Sequence, residues 1–567
     1  MTPLAQVQNL VVLFREQAAK KDEAPFLWHK HDGRWTPVSW AETARQVAAL
    51  AASLARIGIA PGDRVLLVAE NRPEWAIADL AIMSAGAITV PAYTSNTADD
   101  HRHVLTDSGA RAAIVSTARL ARPLVTALAD APDCGDLITM EPIAGAAVAV
   151  HDWAVLTAGE VIPPPVTASR DDTACLIYTS GTGGRPRGVM QHHGAILADI
   201  AGCAAVIAED FPIGDDRMLS FLPLSHSYEH TAGQFLPIAL GAEIYYAESV
   251  EKLAANMAET RPTVMIVVPR LFEVLRQRIT KAVEKQGRMA AWLMNRAVAA
   301  GERRAAGGTT VADRLLAPLL ARTIQPKIRD RFGGALKALV SGGAPLNPEV
   351  GRFFESLGIT LLQGYGQTET GPVVSVNRPA AGIAMETVGP PIAGVEVRIA
   401  EDGEIMVRGE IVMHGYWRNP EETARVLGPD GWLATGDIGR LDAAGRILIT
   451  DRKKDLIVND KGDNVSPQKV EGLLTLDPAI AQAMVMGDRR PHLVALIVPA
   501  DGADTGAVQA AIDRTNARLS VIEKVRRFAL ADEAFTIENE QLTPSLKIRR
   551  HVIRGVYGAR LDGLYRG

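Results

Sequence analysis

Residues Tyr178 to Val189 read YTSGTGGRPRGV and directly continue the apolar run TACLIY, Thr173 to Tyr178. Gly181, Gly183 and Gly184 let the backbone turn tightly, so that several N–H groups can face one anion. Thr179, Ser180 and Thr182 add hydroxyl donors and Arg187 adds a positive charge, which is chemistry for a triphosphate. It is not a Walker A loop, because no Gly-Lys-Ser/Thr follows at the right spacing. A Gly/Ser/Thr loop after a strand also serves as a plain linker, so its company decides. In QGYGQTET, Gln363 to Thr370, Tyr365 could stack on a purine and Thr368 could donate to a phosphate. Glu369 in the same loop could hold Mg²⁺, a hard cation that prefers oxygen ligands. In GWLATGD, Gly431 to Asp437, the Asp437 carboxylate could accept from both ribose hydroxyls. Each of these is as readily a turn as a site; together they are a nucleotide site.

Such loops need a scaffold, and the first half of the chain alternates helical and strand patterns. Ala41 to Ile57 carries helical spacing, Pro61-Gly62-Asp63 turns, and Arg64 to Ala69 is a short apolar strand. Trp75 to Ala85 reads as helix, and Ile88 to Ala92, Ala110 to Ser116 and Thr173 to Tyr178 as buried strands. That alternation predicts parallel α/β layers. From Val395 the texture changes to period-2 hairpins, VEVRI with EIMVRG and then Ile438 to Leu441 with Arg446 to Thr450. A third texture follows Asp451: Ser466 as N-cap with Pro467 behind it, the strands AMVMGD and HLVALIVPA, and a helix over Ala507 to Leu519. The expected fold is α/β. Residues 1–450 form a large N-terminal domain of layered α/β subdomains plus an antiparallel β subdomain, and residues 451–567 a small C-terminal α+β domain.

Composition excludes several classes. A length of 567 residues calls for two or three domains, and 47 % hydrophobic residues with a net charge of −5 argue against disorder and against nucleic-acid binding. Cys134, Cys175 and Cys203 are too few and too scattered for a disulfide framework or a zinc site, which fits a reducing cytoplasm. The N-terminal MTPLAQVQNLVVLFREQAAKK reads as an amphipathic helix, not a signal peptide, and the apolar stretch Trp75 to Tyr93, interrupted by Asp79, as a buried helix running into a strand. Pro269 to Gly308 stands apart: helical, with nine Lys or Arg (among them Arg270, Arg276, Arg278 and Lys281) against three Glu. It is either a solvated helical face or a surface for anionic lipid headgroups or CoA phosphates.

The three loops, together with FLPLSHSYEH (Phe221 to His230), SGGAPL (Ser341 to Leu346), DRKKDLI (Asp451 to Ile457) and LTPSLKIRR (Leu542 to Arg550), resemble the AMP-forming adenylating enzymes over nearly the whole chain. That superfamily holds the acyl-CoA synthetases, peptide-synthetase adenylation domains and firefly luciferase. VPRLFE, SGGAPLNPE, the basic segment and LTPSLKIRR are most similar to its long-chain fatty acid–CoA ligases. The resemblance implies that ATP, Mg²⁺, a fatty acid and CoA meet here, through an acyl-adenylate. It implies Gly343, Ala344 and Tyr365 around adenine, Asp437 and Arg452 on ribose, and Glu369 with Thr179 on Mg²⁺. His226 would stand where carboxylate meets α-phosphate, and Lys547 would be the catalytic lysine of a mobile small domain hinged at Asp451 to Lys454, with Lys454 as pivot. Two residues depart from the family pattern: Gly183 stands for Thr, and Arg187 for Lys. Another acid (medium-chain or aryl), a carrier-protein acceptor, or a non-catalytic nucleotide or acyl sensor are the rival expectations. Peripheral membrane contact and a homodimer stay open.

Overall fold

The run RVLLV, Arg64–Val68, has no polar face to offer solvent, and it forms the central strand of a seven-stranded sheet. The computed structural model describes residues 3–159, 161–179, 185–212, 214–305, 307–323, 325–461, 463–543 and 548–566. On one side of Arg64–Val68 lie Ala112–Val115, Asp136–Thr139 and Ala149–Asp152; on the other, Ile88–Pro91, Thr173–Thr179 and Arg187–His192. All pair in parallel except the last two, which form an antiparallel hairpin. A second sheet has eight strands in the order Val373–Val376, Leu361–Gly366, Ala338–Ser341, Val264–Val267, Arg217–Ser220, Glu243–Tyr246, Pro25–His31, Arg34–Ser39. Its interior is parallel and only its two outermost pairs are antiparallel. Fully apolar strands of this kind need cover on both faces.

Two helices lie against both sheets. Pro73–Ser84 contacts Arg64–Val68 and Ile88–Pro91 of the first and Pro25–His31 of the second, and is buried from Trp75 to Ser84. Its one carboxylate in that stretch, Asp79, accepts through Oδ2 from His230 Nε2 at 2.9 Å and Gln234 Nε2 at 2.7 Å, which offsets part of the cost of burying it. His193–Asp210 spans from Arg187–His192 to Val373–Val376 in the same way. The hairpins expected after Val395 form one antiparallel sheet, Glu396–Ile399, Glu404–Arg408, Leu433–Leu441 and Ile447–Arg452. Beyond it, Ile480–Met486, Leu493–Pro499 and Val525–Leu530 make a three-stranded sheet with its own apolar cores. Helix Pro467–Leu474 opens as expected, Ser466 Oγ accepting from Lys469 N. The fold is thus α/β with an antiparallel sheet and a small C-terminal domain. That small domain touches the large one through Arg518–Glu349 and through Asn347 Nδ2, which donates to the Gly472 carbonyl at 3.1 Å.

The basic segment is two helices, Pro269–Glu284 and Arg288–Ala305, interrupted at Gly287, where φ is +109°. No described helix is long and apolar enough to cross a membrane.

Glu229 sits fully inside, and burial raises its carboxyl from an ordinary 4.5 to about 8. A carboxyl protonated in the fold but ionised in the unfolded chain makes folding take up a proton. Stability from this group is therefore full below 4.5, falls as pH rises toward 8, and is level beyond. Glu229→Gln removes that slope. Melting curves across this range should show the variant gaining on the parent chain as pH rises; a constant difference would mean that Glu229 is ionised in the fold.

Candidate active site

The two strands that flank the glycine-rich segment are held in register to their ends, the last pair being Thr179 opposite Arg187. Ser180, Gly181, Thr182 and Gly183 lie outside the described residues; the segment is entered at Thr179 and left at Pro186 and Arg187, all on the wall of a cavity of about 1130 Å³. Arg187 is fixed twice. Its guanidinium lies over the Tyr416 ring, 4.2 Å from the centroid, and Nη1 meets Glu422 Oε2 at 2.7 Å. Tyr416 in turn donates its hydroxyl to Glu369 Oε1 at 2.9 Å, and both burial and that carboxylate raise its phenol well above the ordinary value. Thr179 and Glu369 thus bring a hydroxyl and a carboxylate, hard oxygen donors suited to Mg²⁺, to one wall.

The opposite wall is organised by Asp437. Its Oδ2 accepts from Tyr365 Oη at 2.7 Å and from Gln367 Nε2 at 2.8 Å, and its Oδ1 faces Arg452 Nε at 3.2 Å. Asp437 is buried and reaches the cavity through these partners, since Tyr365, Gln367 and Arg452 line it. Thr368 also lines it, with its hydroxyl 3.0 Å from Ser227 Oγ and its carbonyl accepting from Gln191 Nε2. Lys453 is clamped to the four-stranded sheet by Asp402 at 2.6 Å and Glu404 at 2.8 Å. Lys454, the next residue, stands on the cavity wall, and burial, then Arg452, lowers its ammonium below the ordinary value.

His226 caps the turn Ser227–Glu229, Nδ1 accepting from Tyr228 N at 3.2 Å, and borders both the main cavity and an adjoining one of about 330 Å³. Gly343, at φ +81°, borders both as well, while Ala344 lines neither. A Cβ on Gly342 would come within 2.8 Å of the Tyr228 ring, whose hydroxyl donates to the Val340 carbonyl, so this turn requires glycine. Lys547 lies outside the described residues. Leu542 and Ile548 pair in an isolated bridge, and Leu542, Thr543 and Arg549 line the main cavity.

A third wall carries almost no polarity. Val206 and Ile207 of helix His193–Asp210 line the same cavity beside Ala232, Val264, Ile266, Leu362, Val373 and Val376, and Val206 packs with Leu362 and Val376. The smaller cavity is apolar too, lined by Phe221, Leu253, Met257, Leu271 and Leu275, with Arg270 and Arg278 from helix Pro269–Glu284 on its wall. Sequence reasoning missed Tyr416, Glu422, Gln367 and Tyr228. The pair Arg187–Glu422 spans 235 residues, and no spacing rule reaches that far.

The profile of the AMP-binding enzyme family matches residues 14–417, and that of the AMP-binding enzyme C-terminal domain matches residues 454–565. Long-chain-fatty-acid–CoA ligase FadD15 of Mycobacterium tuberculosis is 34 % identical over 565 residues, covering 94 % of this chain and 93 % of that one. Long chain acyl-CoA synthetase 6, peroxisomal, of Arabidopsis thaliana is 30 % identical, with 94 % and 82 % covered. Among solved structures, the A domain of carboxylic acid reductase from Segniliparus rugosus, in complex with AMP and a co-purified carboxylic acid, superposes with a TM-score of 0.81. It covers 99 % of this chain and 95 % of that one at 22 % identity.

Removing the Asp437 carboxylate takes the acceptor from the Tyr365 hydroxyl and one of two from Gln367 Nε2, whose other is the Thr435 carbonyl at 2.7 Å, and leaves the partly exposed Arg452 guanidinium to water. Asp437→Ala should cost about 1–3 kcal/mol in urea unfolding and Asp437→Asn less, since its amide oxygen can still accept from Tyr365 and Gln367 while its NH2 faces Arg452. An Asp437→Ala chain as stable as the parent would show that the three partners find others.

Proposed function

This chain belongs to the AMP-binding enzyme family, as a member of its AMP-forming acyl-CoA ligases, and on that premise we propose that it is a long-chain fatty acid–CoA ligase. The net reaction is ATP, fatty acid and CoA to acyl-CoA, AMP and pyrophosphate. The supporting observation is the apolar wall of Val206, Ile207, Val264, Ile266, Leu362 and Val376. It continues the nucleotide-sized part of a cavity larger than the usual range of about 300–1,000 Å³. A short or aryl acid would leave much of that wall bare. The names of the relatives in Mycobacterium tuberculosis and Arabidopsis thaliana, long-chain ligase and long-chain synthetase, point the same way.

In the first step a carboxylate oxygen bonds to the α-phosphorus as the bond to the β-phosphate bridging oxygen breaks, and pyrophosphate leaves with that electron pair. Positioning and charge neutralisation supply most of the rate in such a transfer. Tyr365 and Gly343 flank the adenine site, and Asp437 with Arg452 the ribose site. Thr179, Ser180, Gly181, Thr182, Gly183 and Thr368 offer donors or close backbone approach to phosphate oxygens, and Arg187 brings its charge. His226 borders the place where carboxylate and phosphate meet. Lys547 bridges the two as negative charge spreads between them. Glu369 and Thr179 would hold Mg²⁺, which neutralises phosphate charge when bound. In the second step the CoA sulfur attacks the acyl carbonyl, the mixed anhydride breaks, AMP leaves and the thiol proton passes to solvent. The 330 Å³ cavity is the reading for the pantetheine arm, since Arg278, a cation for CoA phosphates, lines it together with His226 and Gly343.

Release of AMP from ATP, with and without CoA, across straight-chain acids tests this directly. CoA-dependent turnover should peak at long chains, fall about a hundredfold or more in Lys547→Ala, and shift toward shorter acids in Val206→Trp. A peak at medium-chain or aryl acids, or turnover that needs a carrier protein in place of CoA, would replace the substrate assignment. ATP binding with no AMP from any acid would leave a sensor.

Lys453 is clamped to the large domain and Lys454 is the first residue beyond the clamp, so a change of backbone dihedrals between the two steps falls on Lys454. Lys454→Pro should slow thioester formation more than adenylation in single-turnover assays. Equal slowing of both would place the pivot elsewhere.

A further inference from the structure

Helix Val311–Thr323 turns an apolar stripe outward. Val311, Leu315 and Leu319, at i, i+4 and i+8, are 73, 74 and 46 % exposed, while Leu320 anchors the helix from its other side. Exposed Arg314 and Arg322 flank that stripe, and no ion pair among the described residues engages either. The preceding helix, Arg288–Ala305, packs against this one and adds Met289 and Trp292, 70 and 48 % exposed, with Arg296 lying over the Trp292 ring. The two helices are tied where they meet. Arg303 pairs with buried Asp313, whose carboxylate also accepts from Thr310 N at 3.0 Å, so the stripe's orientation is fixed by the fold.

From this surface we infer that helices Arg288–Ala305 and Val311–Thr323 dock the protein onto an anionic lipid bilayer, with the apolar stripe at the acyl boundary and the arginines among the headgroups. Scattered exposed apolar residues are ordinary, but a helical stripe bordered by arginine, with a tryptophan on the adjoining helix, has the composition of an interfacial helix. Charge selects the occupant. Residues 288–323, the two helices that carry the stripe, hold six Arg against Glu302 and the buried Asp313, in a chain whose net charge is −5. A second copy docked on the same face would set that cationic surface against itself, because a two-fold contact pairs a patch with its own image. An anionic leaflet attracts it instead. Arg276 does not belong to the surface, since its guanidinium lies over the Phe353 ring.

The test uses the full chain, without ATP or fatty acid, so its outcome is independent of the substrate assignment. Sedimentation with vesicles of phosphatidylcholine alone is compared with vesicles of equal parts phosphatidylcholine and phosphatidylglycerol. Binding is expected to the anionic vesicles only, weakened by salt. It should fall about tenfold or more in Arg314→Glu/Arg322→Glu and, separately, in Leu315→Asp/Leu319→Asp. The altered side chains are exposed, and an unchanged melting temperature shows that each variant folds. Absence of binding by the parent chain overturns the inference. So does equal binding by the folded variants, and so does self-association in solution that Leu315→Asp/Leu319→Asp abolishes while vesicle binding persists.

Discussion

One buried carboxylate joins three parts of the molecule that are far apart in sequence. Asp437 belongs to the antiparallel sheet, Tyr365 lies in a strand of the eight-stranded sheet with Gln367 just after its end, and Arg452 ends the strand that leads to the small domain. A charge away from water is tolerated only where it is partnered, and Asp437 has partners from two directions. The consequence is geometric. The aromatic wall of the cavity cannot shift relative to the antiparallel sheet without leaving that carboxylate short of donors. The start of the C-terminal domain is tied to the same point.

Arg187 shows how a departure from a family pattern is absorbed. An arginine side chain is longer and flatter than lysine, and left loose it would pay rotamer entropy on meeting an anion. Here the Tyr416 ring supports its face and Glu422 holds one edge, so the guanidinium is positioned before any ligand arrives. Tyr416 also donates to Glu369, which links the cation on the phosphate side to the carboxylate that faces it. The substitution is therefore part of a four-residue arrangement.

Much of the scaffold was legible because periodicity is local. The strands Arg64–Val68, Ile88–Pro91 and Thr173–Thr179 and the helix Trp40–Arg56 fall within a residue or two of the positions that their apolar spacing indicates. Ser466-Pro467 announced its helix by capping chemistry alone. The site was legible by residue type: Thr179, Arg187, His226, Gly343, Tyr365, Thr368, Glu369, Arg452 and Lys454 all border one cavity, whereas Ala344 does not and Asp437 stands one layer behind. What escaped was pairing. Glu422 sits on an unremarkable helix Pro420–Val426, and only the packing of the antiparallel sheet against the first sheet's hairpin brings it to Arg187. The apolar wall escaped for the same reason, being assembled from a helix at 193–210 and strands as distant as 373–376.

The distribution of polarity around the cavity constrains the order of events. Oxygen donors and cations crowd the walls built from Thr179, Arg187, Glu369 and Arg452, while the wall beneath Val340 and Leu362 offers carbon. A carboxylic acid with a long tail can satisfy both walls only in one orientation, head toward the cations and tail along Val206 and Ile207. On the proposed long-chain reading, tail burial would fix the head, and binding strength distant from the reacting atoms would be converted into their alignment. The smaller cavity shares Gly343, His226, Tyr228 and Ile537 with the larger one. The small domain, held to the large one through Arg518–Glu349 and Asn347–Gly472, borders both cavities through Ile537.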